Sequence, residues 1–462
     1  MFLNHARILI IGLGISGEAA AALCAARGSA VTVTDTRGTD QLRPALERLA
    51  DLPISYHLGA EPPPCGGFTL IIRSPGIPRD LPVLTAARRD GIPVWSEIEL
   101  ASAVCPCPSI AITGTNGKST TTILVGQLMR AAGRSTHVVG NIGAPFASAV
   151  AAIDAGDVAV VEVSSAQLED CHAFAPTTAV LTNLRPEHMD HYVWQDYVAA
   201  KARIVRNHTP DHSTVVNYDD EVCRTIAEQA PGRLMYISLQ ELPAGLEGVC
   251  VAGDQVVAQD AQTRSVICAR RELKVPGATA NLLAMMAVGV LWKVPVAVIG
   301  GVAAGYAGRE HVIEPVITAQ AVDYYNDSKA TNPWSTLHAL DAFPGRPVVL
   351  ITGGKDDKRA EVAPLVAGLA GRVRHVITMG QSGPRITAAL YARGFTAVTQ
   401  AAALAEAVAL AAAVAHAGDV VLFSPGANSK DMFTDHRTRG ELFKQHVRQL
   451  AAQPGGAQMS AR

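Results

Sequence analysis

The chain has 462 residues, 48% apolar and 17% charged, with a net charge of −2. That length exceeds a single hydrophobic core and implies about three domains, while the near-neutral balance gives no bulk pull on nucleic acid. Eight scattered cysteines with no C-x-x-C pair fit reduced thiols, and no apolar run of about 18 residues escapes charge or punctuation, so no membrane helix is expected.

Arg7-Ile8-Leu9-Ile10-Ile11 reads as a buried strand of the parallel type, and it runs into a glycine turn rather than a signal-peptide cleavage site. Gly12-Leu13-Gly14-Ile15-Ser16-Gly17 follows, then a helix over 18–27 closed by Gly28. Ala30-Val31-Thr32-Val33-Thr34 forms a second strand with Asp35 at its carboxyl end. Together these make a dinucleotide fingerprint, in which Asp35 would hold a ribose hydroxyl. Whether the ligand is NAD or another nucleotide diphosphate stays open on these residues. Leu70-Ile71-Ile72 ends in Arg73-Ser74-Pro75-Gly76-Ile77-Pro78, a rigid turn at the same ligand-binding edge. Cys105-Pro106-Cys107 reads as a solvated linker rather than a redox pair.

Ser109-Ile110-Ala111-Ile112 is the next buried strand, followed by Gly114-Thr115-Asn116-Gly117 and a helix opened by Lys118, Ser119 and Thr120. Glycines let backbone N–H groups close around a phosphate, and a helix N-terminus adds partial positive charge. Lys118 supplies a full charge, and the Ser119 hydroxyl can hold Mg²⁺. The glycine spacing is two residues shorter than the common G-x-x-x-x-G-K form, so this is a compact phosphate loop for ATP or GTP. Gly140-Asn141-Ile142-Gly143 is a loop bearing an amide. A strand over 157–161 leads to Glu162, where a Mg²⁺-binding acid belongs beside a phosphate loop. A strand over 179–183 leads to Arg185-Pro186-Glu187-His188-Met189-Asp190-His191. His188 and His191 have no third ligand at zinc spacing, so a polar active-site loop is the better reading. Lys201 falls in a helix over 197–206, residues 228–271 read as short strands with glycine turns, and Asn281 stands near a helix start, where it can act as a cap.

Strands over 322–325, 347–352, 375–380 and 420–426, with helices between them, make a third α/β domain. Asn326-Asp327-Ser328-Lys329-Ala330-Thr331-Asn332 enters a helix at Pro333. Residues 401–417 read as a packed helix, and the tail 453–462 as frayed.

With these pieces in place, the run from Gly114 to Thr120, Glu162-Val163-Ser164-Ser165, His188-Met189-Asp190 and the run from Asn326 to Asn332 resemble the Mur ligases, from about Ile8 to Phe443. The resemblance implies an α/β protein of three domains. A Rossmann-like UDP-binding domain would span 1–100, a central P-loop ATPase domain 101–308, and a Rossmann-like C-terminal domain 309–462. It implies a cytoplasmic, monomeric enzyme of peptidoglycan precursor synthesis that takes only small-molecule substrates. With ATP and two Mg²⁺ ions it would add D-glutamate to UDP-N-acetylmuramoyl-L-alanine through an acyl phosphate. The alternatives are a sister ligase adding another amino acid, such as L-glutamate, and an NAD-binding dehydrogenase fused to an ATPase.

The resemblance also implies roles. Ile15, Ser16, Asp35, Thr36, Arg37, Gly76 and Asn141 would bind the UDP substrate. Gly114, Thr115, Asn116, Gly117, Lys118, Ser119, Thr120, Asn281, Arg309 and Asp327 would bind ATP. Ser119, Glu162, His188 and Lys201 would hold metal, Lys201 as a carbamate formed from CO₂. Lys118, His188 and Lys201 would be catalytic. Lys329, Thr331, Lys358 and Ser429 would bind glutamate. Val312 stands where members carry an ATP-binding arginine, so Arg309 takes that role from the other side of His311. Lys358 is displaced by one residue from its usual place, and His436 and Lys430 replace family residues beyond Ser429.

Overall fold

The computed structural model of the chain describes residues 3–189, 191–356 and 362–452. Three sheets carry the fold. They fall into two compact units. The first holds residues up to Leu184, Trp194–Glu272 and Ala280–Ala304, and the second Arg185–Val193, Leu273–Thr279 and the chain from Gly305. Lys358, expected to bind glutamate, lies outside the described residues, as do Asp190 and the tail 453–462.

In the first sheet Arg7–Ile11 lies between Ala30–Asp35 and Leu70–Arg73, all parallel. Ile8, Leu9 and Ile10 are fully buried, because helices cover both faces of such a sheet. Ile11 pairs with both Thr34 and Arg73. The register therefore brings the glycine turn, Asp35 and the 74–77 turn to one edge. The first helix, Ile15–Ala26, begins three residues earlier than its sequence suggests. Gly17 is already helical, and a Cβ there would collide with the Gly12 carbonyl.

In the nine-stranded central sheet Ser109–Thr113 lies between Val158–Glu162 and Thr178–Leu181. Ile112 pairs with Glu162 on one side and Val180 on the other. The phosphate loop, Glu162 and Thr182-Asn183 thus emerge together at the carboxyl edge. The short strands read over 228–271 join this same sheet, the last three as an antiparallel meander at its far side. The helix of Lys201 runs Trp194–Ala202 rather than 197–206. Trp194 stacks on Tyr197 one turn on, at 5.9 Å, while Arg203–Arg206 continue only as tight i→i+3 turns. In the second unit the six-stranded sheet centres on Val348–Thr352 and Val420–Phe423, whose apolar side chains are almost fully buried. The helix there runs Leu404–Val414, inside its expected range.

The helix Glu97–Ser102 joins the first sheet to the second, and its acids point inward. Ser96 caps it by accepting the Glu99 N–H. Glu99 accepts the N–H groups of Ala173 and Phe174 at 2.7 and 3.0 Å. Glu97 is 1% exposed; one oxygen accepts the Ala147 N–H, and the other has no hydrogen-bond partner. Burial outweighs that backbone bond and pushes the Glu97 carboxyl from the ordinary 4.5 up to about 7. The folded chain therefore keeps this proton in a range where the unfolded chain releases it. Stability falls as pH rises from about 4.5 to about 7, and the full penalty is present above that. Glu97→Gln keeps the carbonyl acceptor and cannot ionise. It is expected to stabilise the protein by about 3 kcal/mol at pH 8 and by about 1 kcal/mol or less at pH 5, read from denaturant unfolding at the two pH values. A gain of equal size at both would show that ionisation is not the cause.

Candidate active site

The phosphate loop is shaped by its glycines. Gly114 and Gly117 have φ of +150° and +82°. A Cβ on Gly114 would strike the Thr182 hydroxyl, and one on Gly117 the Asn281 amide, so neither position accepts a side chain. Lys118 starts the helix Lys118–Ala131 and folds back, its Nζ donating to the carbonyls of Gly114 and Thr115 at 2.9 and 2.8 Å. A cation held over an open loop at a helix N-terminus is an arrangement for phosphate.

The next strand ends brace this loop. Asn183 accepts the Asn116 N–H at 2.9 Å and donates to the Asn116 carbonyl at 2.9 Å, and the Thr182 hydroxyl reaches the same carbonyl at 2.7 Å. Thr115 and Tyr197 share a hydroxyl–hydroxyl bond of 3.1 Å. Asn281 accepts from the Thr121 hydroxyl at 3.2 Å, so it packs on the loop rather than capping its own helix. Thr113, Thr121, Thr182, Asn183 and Tyr197 were not singled out in the sequence. Only Thr182 and Asn183 carried a signal, their place at a strand's carboxyl end.

Glu162 is 1% exposed. One oxygen accepts the Asn141 amide at 2.8 Å, and the other is buried with no hydrogen-bond partner. A buried carboxylate oxygen without a donor is costly unless something positive meets it. It stands on the strand beside a phosphate loop, and oxygen donors are what Mg²⁺ takes. Glu162, with the Ser119 hydroxyl on the loop helix, therefore fits a magnesium ion. Asn141, expected to face substrate, holds Glu162 in place. Lys201 is also 1% exposed; its Nζ donates to the Thr113 hydroxyl at 3.2 Å and lies 5.0 Å from the centre of the Tyr197 ring. Phosphate loop, carboxylate and buried lysine thus share one sheet edge.

At the edge of the first sheet, Asp35 accepts the Leu13 N–H at 2.8 Å and is gripped by the Arg37 guanidinium and N–H. Burial works against its charge, yet these bonds outweigh it and hold the carboxyl at about 2. Both its oxygens are engaged, so on the sugar-binding reading Asp35 shapes the turn and orients Arg37. Ile15 is 77% exposed at the turn's mouth.

In the second unit His188 sits at φ +60°, and its loop is tied by Glu187, which accepts the Asn332 amide at 2.6 Å. Asn332 also caps the helix Pro333–Asp341. Asp327 is 5% exposed, accepting from the Ser424 hydroxyl at 2.7 Å and the Ile313 N–H at 3.2 Å. Burial, opposed by the Ser424 bond, pushes its carboxyl up to about 7. The Lys329 N–H donates to the His311 carbonyl, Arg309 and Val312 close a tight turn, and Ser429 is buried. Thr331 lines a cleft of about 390 Å³, partly open to solvent, with Lys355, Arg385 and Asn428. The Lys444 ammonium already fills the space between Glu310, Glu314 and Glu441, so that acidic group has its cation.

Residues 6–96 match the Mur ligase MurD-like N-terminal domain, 112–275 the Mur ligase middle domain, and 309–426 the Mur ligase glutamate ligase domain. The chain is 38% identical over 450 residues to a UDP-N-acetylmuramoylalanine–D-glutamate ligase of Symbiobacterium thermophilum, covering 96% of this chain and 98% of that one. The chain belongs to the Mur ligase family. A second relative of the same description, from Geotalea daltonii, is 39% identical over 456 residues, covering 98% and 99%. Among solved structures, the MurF ligase of Thermotoga maritima in complex with ADP has a TM-score of 0.59 at 14% identity, covering 98% of this chain and all of that one. The UDP-N-acetylmuramate–alanine ligase MurC of Thermotoga maritima gives 0.55 at 18%, covering 96% and 100%. Those two share the fold. Mur ligases form peptide bonds at the expense of ATP in peptidoglycan precursor synthesis. The first glycine turn of this Mur ligase lies in a MurD-like N-terminal domain, so the dehydrogenase alternative falls away. No helix among the described residues is long and apolar enough to cross a membrane.

Proposed function

We propose that the chain joins D-glutamate to UDP-N-acetylmuramoyl-L-alanine with conversion of ATP to ADP and phosphate, as a monomer in the cytoplasm. The relatives that match nearly the whole chain carry that description, and the first-sheet turn, phosphate loop and buried carboxylate supply the parts it needs. The observation that carries the reading is the loop of Lys118 beside the half-unpartnered Glu162.

The sugar-linked carboxylate attacks the γ-phosphorus, the bond to the ADP oxygen breaks, and an acyl phosphate forms. The glutamate amine then attacks the acyl carbon, loses a proton, and inorganic phosphate leaves. The first step brings anions together. Lys118 and the loop N–H groups neutralise the phosphates, and the helix N-terminus adds to them. Magnesium bound at Glu162 and Ser119 would shield the remaining charge. Lys201, as its carbamate, would offer oxygen to a second ion: the ammonium gives up one proton, the neutral amine nitrogen bonds to CO₂ and gives up a second, and a buried cation becomes an anion. Ile15 would lie against the uracil, and Arg37 and Gly76 near the diphosphate. Arg309 and Asp327 would serve the nucleotide, His188 the metal, and Lys329, Thr331, Lys358 and Ser429 the incoming amino acid. The three domains are proposed at 1–100, 101–308 and 309–462.

The test is product mass. UDP-N-acetylmuramoyl-L-alanine, ATP and each of a panel of amino acids are incubated with the protein. D-glutamate alone is expected to yield a product heavier by one glutamyl residue, with ADP in equal amount. Product with L-glutamate or another amino acid instead would make this a sister ligase.

A further inference from the structure

Arg73 ends the strand Leu70–Arg73 and is 3% exposed, which an arginine rarely tolerates without full pairing. Here four of its five N–H groups are engaged. Its Nη1 donates to the Ile77 carbonyl at 2.7 Å, closing the 74–77 turn from behind. Its Nη2 donates to the Ala166 carbonyl and to Glu169, both at 2.8 Å, and its Nε to Asp170. Asp170 also receives Arg88 at 3.1 Å, and its carbonyl accepts the Ser96 N–H. From the front, the Ser74 hydroxyl donates to the Gly12 carbonyl at 2.7 Å. One guanidinium therefore links two ligand edges. On one side are the first glycine turn and the 74–77 turn. On the other is the short segment 166–170, four to eight residues beyond Glu162.

We infer that Arg73 is a positioning residue that fixes the turn holding the UDP end of the substrate at a set distance from the phosphate loop. The reactive carboxylate lies at the far end of a sugar nucleotide anchored by its UDP. A small shift of that anchor misplaces the carboxylate relative to the γ-phosphate, and such errors cost rate steeply. Only a planar fork can serve the carbonyls on both sides and the two carboxylates at once; a lysine in the same place is a point charge. ATP binding is untouched by the clamp, because none of its partners belongs to the phosphate loop.

The inference rests on the reading that the first sheet holds the UDP end, and the experiment separates the two. Arg73→Lys keeps the charge and removes the fork. R73M/E169Q/D170N removes the clamp without stranding a buried carboxylate, and decides by the same readout if the lysine variant does not fold. Steady-state phosphate release is measured while the UDP substrate and ATP are varied in turn, beside thermal unfolding. Expected is a fall of about tenfold or more in kcat/KM for the UDP substrate, with the KM for ATP unchanged. If the KM for ATP moves as well, or if kcat/KM for the UDP substrate does not fall, Arg73 has no positioning role. If the wild-type chain itself does not use the UDP substrate, the reading of the first sheet fails first.

Discussion

Lys118→Ala is expected to lower turnover by about a thousandfold or more, with the fold intact. Phosphate release from ATP in the presence of the UDP-muramoyl substrate and D-glutamate measures it. The ammonium is held at 2.9 and 2.8 Å by two carbonyls of its own loop. Those bonds keep it poised over the loop mouth, where an entering phosphate offers a better partner. Its loss removes a full charge from a step that joins a carboxylate to a polyanion. The loop itself should survive. Asn183 still holds both polar groups of Asn116, and Thr182 still reaches the Asn116 carbonyl. The stability cost is therefore about 1 kcal/mol, that of two hydrogen bonds traded for water. Lys118→Arg should fail too, because a wider planar head does not fit the two-carbonyl seat. A Lys118→Ala protein within tenfold of wild-type rate would mean that this loop does not carry the reacting phosphates.

What was legible in the sequence was what is local. Gly114, Gly117 and Lys118 lie within five residues, between an apolar strand and a helix, and the structure places them as that spacing demands. Glu162 was legible from its strand end alone. The partners were not. Asn183 meets Asn116 across 67 residues of chain, and Arg73 meets Asp170 across 97. No periodicity or spacing encodes such a pairing; strand order does. At Asp35 the local fingerprint was legible but incomplete. The motif predicts an acid facing a ribose, whereas Arg37, two residues on, folds back and takes both oxygens. The loop of His188 was read as continuous with the central domain. Its residues group with the second unit, where the Asn332 amide holds Glu187, a link that spans 145 residues of chain.

Lys201→Ala should lose about a hundredfold or more in rate, part of which returns with added formate or acetate. The argument starts from burial. The Lys201 ammonium is 1% exposed, and its Nζ donates to the Thr113 hydroxyl at 3.2 Å, one residue beyond the Ile112 that pairs with Glu162. Conversion to a carbamate would replace it with an anion whose oxygens would serve a magnesium ion at the sheet edge that carries Glu162. Truncation to alanine removes that anion and leaves a slot lined by the Thr113 hydroxyl, into which a short carboxylate fits. Two further readouts keep chemistry apart from packing. Wild-type activity should fall in CO₂-depleted buffer and return with bicarbonate, and Lys201→Met, which fills the slot, should be inactive without rescue. Packing alone predicts the reverse order, with methionine the better tolerated variant and no response to CO₂ or carboxylates. Full activity of Lys201→Ala without additives would remove the carbamate from the mechanism, leaving Glu162 and the phosphate loop to manage the charge alone.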